Sequence, residues 1–331
     1  MKSSIASRAG RSLLTLFSVF VIAFLLTQVA YRNPAATLAP RNATQEALDA
    51  VARQYNLDQP WYVQLWYYLV QGPPIQGTPT GLLNWPPSLG YSFKESRPVT
   101  ELILEKFPVT ISLAVGALVL WLLFSIVAGV LAAWKPGKAF DVLSSTASFI
   151  GLSIPTFLGG ILLLYFLYYT LSMNGFDFFP GGGYVSLRED PAEWARHLLL
   201  PWATLLIVQV AAFQRIVRSS MLEVLGADYI RTARAKGVPE RRVLFSHSLS
   251  AALNPIITLG GLEFASILGG AIVTEQIFGL DGVGRLALSA ATGGDFPVVL
   301  GVALLSAAVF VAVNFVVDII THWRDPFGAT G

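Results

Sequence analysis

The sequence predicts an all-α membrane protein with six transmembrane helices and a large extracytoplasmic loop after the first. Of its 331 residues, 54% are hydrophobic and 13% are charged, whereas soluble domains carry about 25% charged residues. A helix needs about 20 apolar residues to cross a bilayer, and lipid favours helices because their backbone hydrogen bonds close within one segment. Six runs approach or exceed that length: Ser12–Ala30, Phe107–Trp134, Val142–Phe176, Leu198–Gln214, Ser248–Thr274 and Phe296–Val317.

The composition excludes several other classes of protein. A formal net charge of +2 argues against nucleic-acid binding. The absence of cysteine removes disulfides, thiolate metal sites and cysteine nucleophiles. Three scattered histidines have no metal-ligand spacing, so we predict no metal site. The first apolar run is longer than the core of a signal peptide, about 7–15 residues, and we expect it to remain as an anchor.

The distribution of Lys and Arg predicts the orientation of the chain. The amino terminus has three basic residues and no acidic one, and loop 215–247 has seven basic and three acidic residues. By contrast, loop 275–295 has one basic and three acidic residues. The pattern predicts a multi-pass membrane protein. Both termini and loops 135–141 and 215–247 are expected in the cytoplasm.

The outward segment 31–106 contains an aromatic stretch from Trp61 to Tyr68. On a helix, Tyr62, Leu65, Trp66 and Leu69 share one face, and Trp and Tyr are enriched at the boundary between membrane and water. Two interpretations follow. The stretch is an interfacial helix that packs the loop on the bundle, or it is a docking or gating element for a substrate or carrier protein.

The cytoplasmic loop between spans four and five, residues 215–254, contains glycine, proline and acidic residues at positions that predict the starts and ends of short helices. Gly226 ends a first helix, and Asp228 begins a second, where a carboxylate is favourable. Gly237 is expected as a C-terminal cap, and Pro239 prevents the helix from continuing. A further helix is predicted from Glu240 towards span five.

The helix at 228–236 has a basic face and an apolar face. Arg231 and Arg234 lie three residues apart on one side, and Tyr229, Ile230 and Ala233 supply the apolar side. Retention of positive charge in the cytoplasm would account for the charges alone. It does not account for the glycine and proline pattern, which suits a short helix that inserts into a cleft of another protein.

Here the loop resembles the coupling segment, or EAA loop, of the permease subunits of the bacterial dipeptide/oligopeptide/nickel ABC importer family. The matching stretch runs Asp228-Tyr229-Ile230-Arg231-Thr232-Ala233-Arg234-Ala235-Lys236-Gly237 and continues to Arg242. Two other stretches are similar to family motifs, in the same order along the chain. One runs from Ser88 to Phe93 and continues in Phe107-Pro108-Val109-Thr110; the other runs from Val273 to Leu286 and continues in Asp295-Phe296-Pro297. Asp281 stands where the family has proline.

The resemblance implies a type I ABC importer permease fold and a translocation path for peptides. It implies a location in the bacterial inner membrane and three kinds of partner besides the bilayer: a second homologous permease, two ATP-binding ABC subunits and an extracytoplasmic solute-binding protein. The chain has no GxxxxGK[ST] nucleotide loop, so ATP and Mg are expected in the partner ATPases, with no cofactor bound by this chain and no enzymatic activity of its own.

We divide the chain into residues 1–106, a permease domain 107–320 and a tail 321–331. The implied coupling residues are Gly226, Asp228, Tyr229, Arg231, Thr232, Ala233, Arg234, Lys236, Gly237 and Arg241.

Glu263 is the charged residue within the predicted spans, and ionisable groups there are costly to bury and usually functional. At helical spacing, Gly260, Ser266 and Gly270 share its side. Glu263 therefore either lines a translocation path or makes an interhelical hydrogen bond. Ser266 is assigned to the translocation path together with Glu263. Gln209 and Asn314 are two weaker candidates for the path; the alternative for them is a hydrogen bond that bridges two helices.

Three functions of different classes remain in view. The first is the ATP-driven importer subunit. The second is a self-sufficient carrier driven by an ion gradient, with Glu263 as its ion site. The third is a membrane scaffold without transport. Dependence of uptake on an ATPase separates the first two, and any uptake excludes the third.

Overall fold

The computed structural model of the chain describes residues 2–30, 35, 43–75, 77–85 and 87–324. The predicted tail beyond Arg324, the terminal Met1 and residues 31–34 and 36–42 of the first loop lie outside the described residues. Among the residues that are described, six helices are long and apolar enough to cross a membrane, which confirms the predicted number of spans. These spans are Ser12–Val29, Val99–Trp134, Thr156–Met173, Pro191–Leu225, Glu240–Leu268 and Phe296–Arg324.

In chain order the elements are α1 (Lys2–Ala30), α2 (Gln45–Gln54), α3 (Trp61–Trp66), β1 (Gly72–Ile75), β2 (Thr78–Thr80), α4 (Val99–Trp134), α5 (Ala139–Ser153), α6 (Thr156–Leu163), α7 (Leu171–Met173), α8 (Pro191–Leu225), α9 (Asp228–Ala235), α10 (Glu240–Arg242), α11 (Leu249–Leu268), α12 (Ile272–Ile277), α13 (Val283–Gly293) and α14 (Phe296–Arg324). Wider π-helical turns at Tyr67–Gln71, Leu164–Thr170 and Val243–Ser248 extend α3, join α6 to α7 and join α10 to α11. The chain divides into two compact units. Unit 1 comprises residues 1–110 and 281–311, and unit 2 comprises residues 111–280 and 312–331.

In unit 1, one core forms around the membrane span α1. Phe20 and Phe24 of α1 are 2% exposed and pack with Leu300 and Leu304 of α14. The π turn after α3 leads into a short antiparallel hairpin, β1–β2, in which Gly72 lies opposite Thr80. The all-α prediction therefore holds for the spans, with this hairpin added in the first loop.

The aromatic stretch packs against the core of unit 1 through only part of its predicted common face. Leu65 and Leu69 do pack against the core around Phe20 and Phe24. Tyr62 and Trp66, predicted on the same face, are both 59% exposed. Leu65 and Trp66 are consecutive and therefore about 100° apart around the helix. Only the side of the predicted face that carries Leu65 reaches the core, and the six-residue helix α3 continues into a π turn from Tyr67.

A second core in unit 1 joins the start of α4 to α13 and α14. Its buried members are Val99, Leu102, Ile103, Val283, Ala290, Val298 and Val302. At Gly301, an added Cβ would lie 2.6 Å from Cγ1 of Val99. Glycine therefore permits the close approach of α14 to the start of α4.

In unit 2, α8 is much longer than the predicted span 198–214. It begins at Pro191 because Asp190 caps it: the Asp190 carboxylate accepts hydrogen bonds from the backbone N–H of Ala192 at 2.8 Å and of Glu193 at 3.1 Å. It ends at Leu225, so residues 215–225, predicted as the first part of the cytoplasmic loop, are the last turns of the span helix.

The predicted third span is interrupted. Helix α5 ends at Ser153, Ile154 is extended, and Pro155 precedes α6. A residue before proline is disfavoured in the helical region, so the chain breaks here rather than bending. Only the second part, Thr156–Met173, qualifies as a span.

The predicted fifth span also ends earlier than expected. Helix α11 stops at Leu268, and Gly270 has a φ of +126°. Gly270 therefore does not share the helical face of Glu263, as the spacing had predicted. Residues 272–274, placed in this span by the sequence, belong to the separate short helix α12.

Candidate coupling segment and polar sites

The segment 226–242, which we call the coupling segment, is a short helix between two turns. Gly226 ends α8 in a right-handed helical conformation, with φ −80°. Helix α9 then begins at Asp228, as predicted. Gly237 has a φ of +77°, which confirms the predicted left-handed cap. An added Cβ at Gly237 would meet no atom within 4 Å, so backbone conformation alone accounts for the preference for glycine there.

The coupling segment is held at its base by a few buried apolar side chains. Ile230 of α9 and Val243 after α10 are both fully buried, and α9 lies against the end of α8 and the π turn that begins at Val243. Leu244 belongs to a core with Val217 and Met221 of α8 and with Ile256 of α11. These contacts connect the segment to the two long helices that flank it.

Most of the remainder of the coupling segment is exposed. Of the three residues predicted to form the apolar side, Ile230 is buried, whereas Tyr229 is 53% exposed. The exposed members are Gly226, Asp228, Tyr229, Arg231, Thr232, Arg234, Ala235, Lys236, Gly237, Pro239, Arg241 and Arg242, and Ala233 is half-buried.

Two ion pairs shape this exposed face. Arg234 donates hydrogen bonds to the Glu240 carboxylate from Nη2 at 2.7 Å and from Nε at 3.2 Å, and these bonds raise the pKa of Arg234. Arg231 lies 3.4 Å from Asp228, with both side chains largely exposed. The Arg234–Glu240 pair links α9 to the helix that follows the Gly237 cap.

A partly buried ion pair between α5 and α8 was not predicted from the sequence. Asp141 is 4% exposed. Its two oxygens accept hydrogen bonds from Arg218, from Nε at 2.5 Å and from Nη2 at 2.8 Å. These bonds, with another from the backbone N–H of Gly137 at 2.8 Å, lower the pKa of Asp141 to about 2. The two residues are 77 positions apart, and nothing in the local pattern of either one signals the other.

The same two helices share a second polar contact. Gln214 is 1% exposed; its Oε1 accepts a hydrogen bond from Ser148 Oγ at 2.8 Å, and its Nε2 donates to Ser144 Oγ at 3.3 Å. Small residues allow close packing nearby, because an added Cβ at Gly151 would lie 2.9 Å from the carbonyl oxygen of Ile207. The α5–α8 seam is therefore polar, close-packed and internally satisfied.

The structure brings together two of the four predicted path residues. Gln209 Nε2 donates a hydrogen bond to Glu263 Oε2 at 3.0 Å, and both side chains are half-buried. Ser266 lies further along α11 and is exposed, and Asn314 is half-buried in α14. Among the described residues, no group of three acidic or histidine side chains could hold a metal ion.

In unit 1, the two other stretches that resemble family motifs, one before and in the first part of α4 and one after residue 273, meet in two buried polar contacts. Asp295, 2% exposed, accepts hydrogen bonds from Ser92 Oγ at 2.6 Å and from the backbone N–H of Phe93 and Lys94 at 3.2 and 3.3 Å. Thr110 Oγ1 accepts from the backbone N–H of Val283 at 2.9 Å. These motif residues fasten loops to helices, a role that the sequence comparison did not assign to them.

Comparisons with known proteins agree with this architecture. A family model described as binding-protein-dependent transport system inner membrane component matches residues 125–327. The model for the N-terminal part of the same membrane components matches residues 1–114.

Relatives cover nearly the whole chain. The oligopeptide transport system permease protein AppB of Bacillus subtilis (strain 168) is 36% identical over 329 residues, covering 98% of this chain and 99% of its own. The glutathione transport system permease protein GsiC of Escherichia coli O6:H1 (strain CFT073) is 35% identical over 312 residues, covering 94% of both chains. A chain of Brucella suis biovar 1 (strain 1330), named as a peptide transport system permease protein, is 37% identical and covers 98% of both chains.

The fold also has a solved counterpart. A chain of the inward-facing MetNI methionine ABC transporter (CY5 native crystal form) superimposes with a TM-score of 0.51 at 17% identity, covering 68% of this chain and 97% of its own. The likeness extends to the fold alone. With the two family models and the full-length relatives, it leads to one conclusion: the chain belongs to the family of binding-protein-dependent transport system inner membrane components.

Proposed function

We propose that the chain is a permease subunit of an ATP-driven importer that carries peptides across the bacterial inner membrane. The observation that carries this proposal is the agreement along the whole chain, with family models at residues 1–114 and 125–327 and permease relatives at 35–37% identity. The names of those relatives, which cite peptides, oligopeptides and glutathione, support small peptides as the substrate class. They do not favour the ion-gradient carrier.

The proposed complex contains this chain, a second homologous permease, two ATPase subunits that hold ATP and Mg, and a solute-binding protein. The coupling segment 226–242 is the surface that docks on an ATPase. Its support is chemical: Tyr229 and Arg231 are exposed on the short helix α9, whose only buried side chain is Ile230, and Lys236 is exposed directly after it. Exposed aromatic and arginine side chains are the ones most used at protein interfaces.

The base of the coupling segment gives a route for mechanical coupling. Closure of the ATPase pair moves α9, and Ile230 and Leu244 pass that movement to α8 and α11 through the buried core. Because a packed core is dense and transmits displacement, these helices move with the segment rather than independently. The two permeases then alternate between outward and inward access.

The proposed topology places both termini and loops 135–141 and 215–247 in the cytoplasm, following the basic residues. We retain the division into residues 1–106, 107–320 and 321–331. Gln209, Glu263, Ser266 and Asn314 are proposed to line the path, with the Gln209–Glu263 hydrogen bond keeping the carboxylate satisfied inside the span.

Reconstitution tests this proposal. The full complex is placed in proteoliposomes with a radiolabelled dipeptide or tripeptide, the binding protein outside, ATP inside, and no ion gradient. We expect uptake that requires ATP and is lost when the ATPases carry an inactivated nucleotide loop. Uptake driven by an ion gradient without ATP would establish the carrier instead, and no uptake of any peptide in an intact complex would contradict the proposed substrate class.

A further inference from the structure

Three exposed aromatic side chains of unit 1, which we call the aromatic cluster, consist of Trp61, Tyr62 and Trp66. They are 53%, 59% and 59% exposed, and the rings of Trp61 and Tyr62 meet edge to face, 5.9 Å apart. The helix α3 that carries them has six residues, about 9 Å at the rise of an α-helix, so it cannot itself cross a membrane. Exposed aromatic groups of this size need a partner that covers them.

A hydrogen bond fixes the level of α3 along the first span. Gln28 Nε2 donates to Gln64 Oε1 at 2.9 Å, and Gln64 Nε2 donates to the carbonyl oxygen of Gln59 at 2.7 Å. Gln28 is one residue before the end of the apolar span Ser12–Val29. That span of 18 residues is about 27 Å long, close to the roughly 30 Å hydrocarbon core of a bilayer. Gln64 therefore lies level with the edge of the hydrocarbon core.

The inner side of the same stretch is fixed as well. Leu65, Tyr68 and Leu69 pack against Phe20 and Phe24 of α1. Tyr68 donates hydrogen bonds to the carbonyl oxygens of Leu89 and, at 3.2 Å, Pro297. With one side buried against α1 and its level set by Gln28, α3 presents the aromatic cluster outward at the height of the lipid headgroups.

The charge pattern around the cluster supports a lipid surface. Residues 59–93, which is 35 residues by count, contain no Lys, Arg, Asp or Glu. Average composition would place about nine charged residues in a stretch of that length. Leu83 and Trp85 of the same stretch are 71% and 88% exposed. Residues 80, 81, 88 and 90–93 of this stretch are buried within the protein, where charge is disfavoured in any case. Its exposed positions lack charge as well, which suits a segment lying on lipid better than a loop facing water.

We propose that the aromatic cluster inserts into the headgroup region of the leaflet at the carboxyl end of α1 and anchors this uncharged segment to the membrane surface. Tryptophan and tyrosine suit that position because their rings are apolar while their N–H and O–H groups bond to water or lipid carbonyls. The partner is the phospholipid interface itself, and no lipid of a particular headgroup is required.

Spin labelling tests the proposal directly, because this chain has no cysteine and a single introduced one is its only thiol. Tyr62→Cys is studied in the full complex in proteoliposomes, assembled with cysteine-free partner subunits. The collisions of the label with oxygen and with a water-soluble nickel chelate are compared. Ala50→Cys on α2, a helix with no buried residue and three charged ones, is the matched position on the water side. We expect oxygen to dominate at position 62 and the nickel chelate to dominate at position 50.

A second measurement covers the case in which the label perturbs α3. Trp61 and Trp66 are replaced together by Phe, and tryptophan fluorescence is compared in liposomes of lipid brominated near the headgroup. The two indoles should account for a fluorescence component that this lipid quenches and aqueous iodide does not. Trp121→Phe, at a fully buried position, should remove a component that neither quencher reaches.

Two results would overturn the proposal. In one, position 62 behaves like position 50 and iodide reaches the two indoles, so the cluster faces water. In the other, the cluster is shielded only after the solute-binding protein is added, which would make it a docking surface for that protein.

Discussion

The buried motif residues of unit 1 and the coupling segment of unit 2 use their polar side chains in opposite ways. Asp295 is 2% exposed and holds three donors from residues 92–94. Within residues 226–242, all of which the structure describes, Ile230 alone is buried. Both regions carry motifs by which the family is recognised. In the first region the polar groups form hydrogen bonds with each other inside the chain, whereas in the second most of the basic side chains are exposed.

The difference separates stability from interaction. A buried carboxylate that holds several donors is costly to remove, because each donor would be left without a partner. Exposed arginines contribute little to folding and remain available to another chain. Substitutions of the buried side chains in the first region should therefore lower the stability of the subunit, whereas substitutions of the exposed side chains in the second should lower transport with little change in stability.

Asp295→Ala is expected to have the largest effect. It leaves Ser92 and two backbone donors unsatisfied, and each such group costs about 1–3 kcal/mol. We expect a strong fall in the thermal stability of the purified subunit and rapid proteolysis near residues 92–94. Asp281→Ala is the control, since Asp281 is 62% exposed and its pair with Lys106 belongs to a class worth about 0–1 kcal/mol. Equal destabilisation by Asp295→Ala and Asp281→Ala would show that buried and exposed carboxylates of unit 1 do not differ in their contribution to stability.

Asp141→Asn should follow, with a loss of about 3 kcal/mol because it leaves Arg218 without its counter-charge. The pKa of Asp141 in the folded chain, about 2, is below its ordinary value of about 3.9. The ion pair therefore stabilises the fold above about pH 4, and this contribution is lost as the pH falls through about 2. Thermal unfolding in detergent should show a gap between wild type and variant that narrows over that interval.

Asp228→Asn provides the matched control for that measurement. Its side chain is 97% exposed and pairs with Arg231 at 3.4 Å. We expect almost no change in stability at any of these pH values. A gap between wild type and Asp141→Asn that stays constant down to pH 2 would contradict the role of the Asp141 charge.

Gly237→Val tests the coupling segment. A Cβ in the left-handed region costs about 1–2 kcal/mol, equivalent to roughly a tenfold change in an equilibrium constant. We expect ATP-driven uptake to fall by about that factor, with membrane insertion unchanged. Gly237→Asn should retain more uptake, because asparagine tolerates this conformation.

Gly175→Val controls for backbone strain as such. Gly175 has a φ of +80° and, like Gly237, open space around an added Cβ, but it lies outside the coupling segment. Uptake should be unchanged in this variant. If the two valine variants lost uptake equally, strain anywhere in the chain would explain the result and the coupling role would fail.

Reversing Arg231 and Arg234 to Glu should weaken ATPase binding by a smaller factor, since several other basic groups remain. Co-purification at increasing salt concentration measures this effect. Arg53→Glu with Arg188→Glu makes the same charge change in loops predicted to face outward. The double exchange Arg234→Glu with Glu240→Arg keeps an ion pair between these two positions but swaps which one carries the positive charge. Wild-type binding by the Arg231/Arg234 variant would exclude these arginines from the interface, and an inverted topology would show that they serve orientation alone.

Glu263→Gln should have the smallest effect. Glutamine keeps an oxygen that can accept a hydrogen bond from Gln209 and removes only the titration. Uptake should remain ATP-dependent at a normal or moderately reduced rate. Complete loss of uptake, together with sensitivity of the wild type to an uncoupler at constant ATP, would favour the ion-gradient carrier.

The sequence predicted what depends on local chemistry. The six spans follow from apolar length, and the start of α9 at Asp228 and the left-handed cap at Gly237 follow from residues whose backbone preferences are strong. Prediction from the sequence failed for features that depend on contacts between residues far apart in the chain. Residues 215–225 are polar enough to read as a loop, but they continue α8 because Val217 and Met221 are buried in a core with α4 and α11.

Side-chain partners were the least predictable feature. Asp141 and Arg218, or Ser92 and Asp295, are brought together by the fold across 77 and 203 positions, and one sequence holds no record of such pairs. Glu263 was singled out because a charge in a span is rare. Its partner Gln209 was noted separately as a polar residue, but the hydrogen bond between them depends on the packing of α8 against α11.

The most direct test of the central claim is a cross-link from the coupling segment to an ATPase. Lys236→Cys, at an exposed position in a chain without cysteine, is labelled with a photoreactive group in the assembled complex, and Arg188→Cys serves as the outward reference. We predict a cross-link to an ATPase subunit from position 236 and none from position 188. In a complex that retains ATPase activity, no cross-link from position 236, or equal cross-linking from both positions, would contradict the proposed coupling role.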